Sequence, residues 1–412
     1  RRLGAWRRAA ILGTICCARR SPLSARQSAA RTIDALQNSG WITAAVNAAT
    51  SATVGSGLQL NAKPSPRLFG GDLRRRDQWA RETEAEFEIY AGDPRECDAE
   101  GRRTVGQMMV AGFRHWMATG EILGIITTIS RPGTSYATKA RMLAAWRLPL
   151  DTSEPDWIDG VRADRNGMPL AYRIRESAPF GQTIDRDVRA RDETGRPIVI
   201  HVFDGDMETV RGISPFAPAL RIVRQYDQLA DATLVTTLLQ TIFAATIKSP
   251  NAPTAAFEAL QTEGEGVAGT AEFEAWMTAR QAWYENTRLD LGQHGRIVHL
   301  FPTEELSFHG AEHPSETYDP FSSGLLREIA ASAGVSYEMM TGDYRNANFS
   351  SAQLGTAVIW PIVLYRRNHI IARLAGAIYE AWLEEAIASG RRPFPGGLDA
   401  FLANRAAAAR AD

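Results

Sequence analysis

The chain has 412 residues, of which 44% are hydrophobic, and its formal net charge is −1. A chain of this length and composition can bury a sizeable core and has room for two or three domains, which excludes a disordered tail. The near-zero charge excludes a protein that binds nucleic acid by bulk attraction, because releasing counterions from phosphates needs a basic excess, so any contact with DNA must be local or weak.

The N-terminal segment is basic and moderately apolar. Arginines precede an apolar run over residues 9–18, an order also found in signal peptides, but the run is short and has no clean small-residue cleavage site. We therefore expect an amphipathic arm over residues 1–27. The three cysteines are Cys16, Cys17 and Cys97, an odd number with an adjacent pair, which predicts no disulfide framework. No further ligands accompany the pair, so no metal site is expected there.

Residues 28–211 mix helical and strand patterns, which predicts an α+β domain. Apolar residues at helical spacing predict a helix through residues 33–48 that stops at a turn over 55–57. A second, charged helix carries Trp79, Glu82, Phe87 and Tyr90. The run EILGIITTI predicts a buried strand from Gly120 to Ile129. Asn166-Gly167 predicts a hairpin turn.

A long helix is predicted from Ser214 to Ile247, with Ser214 as N-cap and Pro215 at the first helical position. About thirty residues would span roughly 50 Å. From Ala232 onward the segment is uncharged and apolar on more than one face, so it needs more than one neighbour. A membrane span is one alternative, although the uncharged stretch is short and rich in threonine. A core helix of a monomer is another.

The next region, residues 249–270, is polar and rich in Pro, Ala, Gly and Glu. The patterns after it predict a helix around Trp276 and Trp283, then strands over 295–301 and 306–308. Exposed aromatic and acidic groups here would suit a docking face. Tryptophans seven residues apart also suit an ordinary helix core.

The C-terminal part starts with a predicted helix over 321–333. A polar aromatic loop over 342–349 leads into a long helix from Ser351 to about Ser389, which Ser350 or Ser351 should cap and Pro361 should kink. This helix has a basic patch and an acidic end, formed by Arg366, Arg367, His369 and Arg373 and by Glu380, Glu384 and Glu385. The simplest interpretation is solvated faces or inter-subunit pairs. A DNA-facing role for the arginines is the alternative.

Motifs for catalysis are absent from the sequence. It has neither a G-x-x-x-x-G-K-[ST] phosphate loop nor a G-x-S-x-G elbow. Four of the seven histidines, His294, His299, His309 and His313, have only loosely zinc-like spacing and no accompanying cysteine, so no metal or other cofactor is expected. His201 and Asp206 could form the acid–base pair of a soluble α+β hydrolase, which is the alternative function.

Several separated segments resemble one protein family. The segments are Val54-Gly55-x-Gly57, RGISPFAP at Arg211 to Pro218, LFPTEELSF at Leu300 to Phe308 and GVSYEMMTGDYRNANFSSA at Gly334 to Ala352. In this order they resemble the lambda-type portal proteins of tailed bacteriophages. In the family, the Val-Gly-x-Gly turn precedes a strand. The family also has a histidine at the position of His201, just before RGIS, which favours a structural role for His201.

The resemblance implies a portal-like α+β subunit with an α/β wing, two antiparallel stem helices, a small α/β clip and a long kinked C-terminal helix. The implied layout is a wing domain over 28–213, a first stem helix over 214–247, a clip over 248–318, a second stem helix over 319–335, a tunnel loop over 336–350, and a kinked wing helix with a short crown-like end over 351–412. The arm over 1–27 precedes them.

The resemblance also implies a structural, non-enzymatic function. Such a protein forms a ring, generally a dodecamer, at the portal vertex of the virion between capsid and tail, after assembly in the host cytoplasm. Double-stranded DNA would pass through it, and its partners would be the major capsid protein, the terminase large subunit and the head-completion adaptor, with no membrane. The implied channel-facing loop residues are Asp343, Tyr344, Arg345, Asn346, Asn348 and Phe349. Further candidates for DNA or inter-subunit contacts are Arg366, Arg367 and Arg373.

Overall fold

The fold is given by a computed structural model, which describes residues 27–150, 154, 156–178, 181–205, 209–242, 245–248, 275, 278–279, 281–282, 305–308, 318–345 and 347–411. Several predictions concern residues outside this set: Cys16 and Cys17, Asp206, Trp276 and Trp283, the strand over 295–301 and the four clustered histidines. The helix predicted around the tryptophans is confirmed at residues 275, 278–279 and 281–282, which are helical.

The N-terminal half starts with two consecutive helices, α1 (residues 27–38) and α2 (Gly40–Thr53). A non-helical Ser39 separates them, so the single predicted helix is divided in two. The glycine turn after α2 is confirmed, with positive φ at Gly55 and Gly57. The strand expected after it is wrong, because the described chain there forms only an isolated bridge between Ala62 and Ala411.

Three further helices follow: α3 (Leu73–Gly92), α4 (Pro94–Cys97) and α5 (Val105–Thr119). The predicted charged helix is α3, and its N-cap Asp72 accepts hydrogen bonds from two backbone N–H groups. Helix α5 carries a capping box at its start and ends at Gly120 in the left-handed conformation. Helix α5 packs against the strand that directly follows it. The turn at Gly120 therefore brings the sheet against the helices.

Two antiparallel sheets follow. The strands are β1 (Glu121–Thr128), β2 (Thr138–Leu143), β3 (Trp157–Ile158), β4 (Val161–Ala163), β5 (Pro169–Ser177), β6 (Thr183–Arg189) and β7 (Val199–Phe203). One sheet has the order β2-β1-β7 and the other β3-β4-β5-β6. The buried strand and the Asn166-Gly167 hairpin are both confirmed, as β1 and as the β4–β5 turn. Together with the helices, they confirm the α+β class.

Helix α6 (Leu220–Ile242) is shorter than predicted at both ends. Its 23 residues span about 35 Å, and residues 245–248 belong to a strand. That strand, β8 (Ala245–Lys248), pairs antiparallel with β9 (Glu305–Phe308), which confirms the strand predicted over 306–308. No helix among the described residues is long and apolar enough to cross a membrane.

The C-terminal part is helical. The helices are α7 (Tyr318–Ala333), α8 (Tyr337–Thr341), α9 (Phe349–Arg366), α10 (Ala372–Ala388), α11 (Gly397–Ala403) and α12 (Arg405–Ala408). Pro361 lies inside α9, and a π turn over Arg367–Ile371 joins α9 to α10. Pro361 has no N–H and so leaves one α-helical hydrogen bond unmade, and the α-helical pattern changes to a π pattern at the turn after α9. The kink predicted at Pro361 stays a prediction.

The chain divides into two compact units, Arg1–Tyr226 with Ser322–Asp412, and Asp227–Phe321. In the first unit, a large core joins the helices and the three-stranded sheet around the fully buried rings of Tyr90, Phe113, Tyr379 and Trp382. A smaller core, which includes Leu123, Tyr172 and Val199, lies between the two sheets. The described part of the second unit consists of α6 from Asp227 onward, the β8–β9 pair, the helical residues 275, 278–279 and 281–282, and the start of α7.

Candidate functional site

The segment before α6 is fixed by Arg211. Its guanidinium forms two hydrogen bonds to the Glu121 carboxylate, one from Nε to Oε2 at 2.7 Å and one from Nη2 to Oε1. Its other bonds go to the carbonyl oxygens of Ala145, Leu148 and Asp159, at 3.1, 3.3 and 3.0 Å. These contacts match the five donors of an arginine side chain. Arg211 therefore ties the chain that leads into α6 to β1 and to the connections around the second sheet.

Glu121 is the centre of a buried charge cluster. It is 3% exposed, and its Oε2 lies 3.1 Å from Nε2 of His201 on the neighbouring strand β7. Burial opposes the ionised form, but the hydrogen bonds from Arg211 and His201 prevail and lower the pKa of Glu121 to about 2. The His201 ring also packs between Tyr172 and Phe203. His201 thus holds β1 and β7 together, as expected for a structural residue.

Gly212 and Ser214 complete the same segment. The backbones of Gly212 and Gly120 meet so closely that a Cβ on Gly212 would lie 2.6 Å from the carbonyl carbon of Gly120. Ser214 Oγ donates to the Met117 carbonyl at 2.8 Å and accepts the Phe216 N–H at 3.1 Å. We name Arg211, Gly212 and Ser214, with Glu121 and Gly120, the α6 anchor. The family resemblance pointed to this segment, and the structure shows that Arg211 and Gly212 contact Glu121 and Gly120, which are 90 and 92 positions earlier in the sequence.

His115 links α5 to the same region, because its Nε2 accepts the Ala145 N–H at 2.9 Å. Burial lowers the pKa of His115 below 6.5, since a charged ring would be desolvated and its Nε2 could no longer accept. With the folded pKa lowered, the unfolded chain binds the extra proton, so the contribution of His115 to stability is complete above pH 6.5 and is lost as pH falls.

We therefore predict that replacing His115 by glutamine reduces the loss of stability between pH 7.5 and pH 5.5. Glutamine can still accept the Ala145 N–H through its amide oxygen but does not titrate. The measurement is the thermal midpoint of the native chain and of the variant at both pH values. Equal shifts in the two proteins would show that His115 does not contribute to acid sensitivity.

The loop between α8 and α9 contains the predicted channel residues. Helix α8 ends at Thr341, and its C-cap Gly342 has φ 70°, in the left-handed region. Asp343 binds Arg345 through two hydrogen bonds, at 2.9 Å from Nε and 2.7 Å from Nη2. The hydrogen bonds from Arg345 lower the pKa of Asp343 to about 2. The positive charge of Arg345 is therefore balanced within the loop, although its side chain is 75% exposed.

The remaining loop residues divide between exposed aromatics and a helix cap. Tyr344 and Phe349 are 54% and 84% exposed. Asn348 forms a capping box with Ser351, in which its Oδ1 accepts the Ser351 N–H at 2.8 Å. The prediction that Ser350 or Ser351 is the N-cap is wrong, because the helix already begins at Phe349 and Ser351 is its third residue, whose Oγ accepts the Asn348 N–H at 2.9 Å. Asn346 lies outside the described residues.

Two arginines, Arg366 at the end of α9 and Arg367 directly after it, cap other helices. Arg366 is buried, donates from Nη1 to the Ala333 carbonyl at the end of α7 at 2.6 Å and lies over the Trp116 ring. Burial lowers its pKa to about 10. Arg367 donates from Nε to the Thr53 carbonyl at the end of α2 at 3.1 Å. Cations suit these positions, because the last carbonyls of a helix have no partner within it.

Arg366 is thus a correction to the sequence prediction, since a buried side chain bonded within its own chain cannot face DNA or a neighbouring subunit. Helical periodicity could not show this, because the partner carbonyl comes from another helix. Arg373 is exposed, and Arg367 is half-buried. For these two, the proposed DNA or inter-subunit contact stays a prediction.

The acidic end of the last long helix is also bonded within the chain. Both carboxylate oxygens of Glu385 accept backbone N–H groups, from Ala137 and Thr138, at 2.7 Å each. Glu380 and Glu384 pair with Arg405 at 3.3 and 2.6 Å. The interpretation as solvated faces or inter-subunit pairs is therefore wrong for these residues. Among the described residues, no group of three or more His, Cys, Asp and Glu side chains could hold a metal ion.

Comparison with known proteins identifies the family. The model of the family "Phage portal protein, lambda family" matches residues 19–367 of this chain. The chain belongs to the lambda family of phage portal proteins. The matched range includes the α6 anchor, the loop between α8 and α9 and the whole of α9.

Curated relatives agree with this assignment. The portal protein of Escherichia phage N15 is 28% identical over 367 residues, which cover 87% of this chain and 68% of that protein. Portal protein B of Escherichia phage lambda is 28% identical over 371 residues, with the same coverage of each chain. As a portal protein, the chain is a structural component of the phage particle at the head–tail connection. The family is structural, in agreement with the expected non-enzymatic role.

Chains in solved structures of gene transfer agent particles are similar to this chain over most of its length. A chain in "Neck of native GTA particle computed with C12 symmetry" has a TM-score of 0.48 and 13% identity and covers 85% of this chain and 81% of its own length. A chain in "Neck of empty GTA particle computed with C6 symmetry" has a TM-score of 0.49 and 14% identity and covers 86% and 82%. Neither score is high enough to carry weight, so the family assignment rests on sequence.

Proposed function

We propose that this portal protein assembles into a ring of twelve subunits, through which double-stranded DNA enters and leaves the capsid at one vertex. The observation that carries the proposal is the family match, which extends over residues 19–367. Its mechanism is steric and electrostatic, since the subunits would enclose a channel without making or breaking covalent bonds. The near-zero net charge suits a conduit that must not retain the DNA.

Exposed apolar helix surfaces support assembly. In α6, Leu234, Val235 and Leu238 are between 53% and 59% exposed, in a stretch without charge. In α9, Leu354, Val358 and Trp360 are between 47% and 67% exposed. Contiguous exposed apolar surface of this kind is typical of an interaction site. We propose that α6 and α7 are the two stem helices and that neighbouring subunits cover the apolar side chains of α6.

The loop from Gly342 to Asn348, with Phe349, is the proposed tunnel loop. It presents an arginine whose charge is balanced by Asp343, together with two exposed aromatic rings. Such a surface can touch phosphates and grooves without tight ion pairing, and phosphate contacts carry no sequence information. This suits a loop past which any DNA sequence must move.

The docking functions follow from the same proposal. Residues 248–318 would form the clip that meets the terminase large subunit during packaging and the head-completion adaptor afterwards. The wing over 28–213 and the helices over 351–412 would contact the major capsid protein. Assembly would take place in the host cytoplasm, and the mature ring would lie between capsid and tail.

Replacing Arg345 and Asn346 by alanine should leave rings intact and lower the packaging or retention of DNA severalfold. The loop carries none of the buried core, so assembly should not depend on it. The measurement is the amount of nuclease-protected DNA per particle, with rings counted by electron microscopy.

The matched control replaces Arg165 and Asn166 in the exposed β4–β5 turn, where the same Arg-Asn dipeptide occurs away from the loop. The control should package DNA normally. Normal packaging by the double variant would remove these two residues from the mechanism, while loss of its rings would show that they serve assembly instead.

A further inference from the structure

Helix α9 has two different apolar surfaces on roughly opposite sides. Leu354, Val358 and Ile362 follow each other at intervals of four residues and are 67%, 66% and 40% exposed. We call these three residues the α9 ridge. Phe349, Gln353 and Trp360 lie on a second stripe, which at 3.6 residues per turn faces away from the ridge.

The second stripe is one wall of a groove of about 670 Å³. Met339, in the middle of α8, and Tyr344, in the proposed tunnel loop, also line the groove, together with Glu338 and Ser336. We call this concave surface the α9 groove. Its volume is within the range of pockets that enclose several side chains. None of the ridge residues lines it.

The chemistry of α9 restricts what can cover these surfaces. From Phe349 to Tyr365 the sequence contains no charged residue and no histidine. DNA is a poor occupant, because binding to its phosphates depends on basic side chains. An exposed helix that is apolar on more than one side needs more than one apolar neighbour. The ridge is convex and apolar and the groove is concave and largely apolar, so the two surfaces complement each other.

We infer that the α9 ridge of one subunit docks in the α9 groove of the next copy of this chain. Because ridge and groove are different surfaces on different sides of one helix, the contact is head-to-tail. A head-to-tail contact repeats from copy to copy and closes into a ring when its rotation permits. Each α9 then has one neighbour on each side, which accounts for both exposed surfaces. This inference rests on the proposed ring and assigns its contact to specific residues.

The test uses two matched variants. Val358→Asp places a charge on the ridge, and Trp360→Asp places the same charge in the groove, two residues away on the same helix. Each variant alone should change from rings to monomers in sedimentation velocity. Ser350→Asp is the control, because this exposed residue is in the first helical turn, where an acidic side chain is favourable, and it belongs to neither surface. The control should form rings.

Mixing the two variants distinguishes this contact from a general loss of assembly. The ridge variant keeps its groove and the groove variant keeps its ridge, so an equimolar mixture should form heterodimers and nothing larger. Rings formed by either variant alone, or a mixture that stays monomeric, would overturn the inference. Circular dichroism melting checks that each variant is folded, and Leu354→Asp replaces Val358→Asp if the latter unfolds. If the native chain forms rings and both variants do as well, only this inference fails, whereas a persistently monomeric native chain contradicts the proposed function itself.

Discussion

Replacing Arg211 by alanine should destabilise the chain by about 3–5 kcal/mol, the range for removing one partner of a buried ion pair. The Glu121 carboxylate would stay buried without its main cation, and three carbonyl groups would each lose a donor. Since Glu121 owes its low pKa to Arg211 and His201, its burial would then favour protonation. Urea unfolding followed by circular dichroism measures the change in the free energy of unfolding.

Two further variants are compared with Arg211→Ala. Arg211→Lys keeps the charge but cannot reproduce the planar fork that reaches Glu121 and the carbonyls together, so it should also be clearly destabilised. Arg186→Ala removes an exposed arginine from β6 and should change the free energy of unfolding by about 0.5 kcal/mol or less. An Arg211→Ala chain as stable as the control would show that the α6 anchor does not stabilise the fold.

Replacing Gly212 by alanine should destabilise the chain by about 4 kcal/mol or prevent folding. The new Cβ would overlap a neighbouring backbone segment that cannot move aside without disturbing the fold. The new Cβ would lie 2.6 Å from the Gly120 carbonyl carbon and 3.0 Å from Phe203 Cβ. Gly120 cannot move away easily, because it ends α5 with φ 89° and leads directly into β1. Soluble expression and the urea midpoint are the measurements.

Gly376→Ala is the matched control, because it makes the same chemical change inside α10, where no atom lies within 4 Å of the new Cβ. Alanine is the better helix former, so this variant should be more stable by about 1 kcal/mol. The two substitutions should therefore act in opposite directions. A Gly212→Ala chain with a midpoint equal to that of the native chain would contradict the close backbone contact.

The sequence predicted the elements whose signals are local. Helix α3 and strand β1 follow from hydrophobic periodicity and β-branched content, and the β4–β5 hairpin follows from Asn166-Gly167, where Gly167 adopts φ 88°. The errors are mostly at element ends. Helix α6 ends at Ile242 and the chain re-forms as β8 at Ala245, because Ala245, Thr246 and Ile247 gain backbone partners on β9.

The interactions that could not be predicted connect distant positions. Nothing near Arg211 in the sequence points to Glu121, 90 residues earlier, and nothing near Arg366 points to the end of α7. Cys97, which carried no prediction of its own, is a buried thiol whose sulfur lies within hydrogen-bond distance of the Ala91 and Arg103 carbonyl oxygens. The family resemblance marked the Arg211 segment and the loop, but only the structure shows that Asn348 is a helix cap and that Asp343 binds Arg345.

The most direct test of the proposed function is electron microscopy of the purified chain, classified for rotational symmetry and for a central opening. We expect rings of twelve subunits with a channel of roughly 20 Å or more, wide enough for B-form DNA. Particles that remain compact monomers or dimers, also when capsid scaffold is present, would contradict the proposal that this portal protein forms a DNA channel.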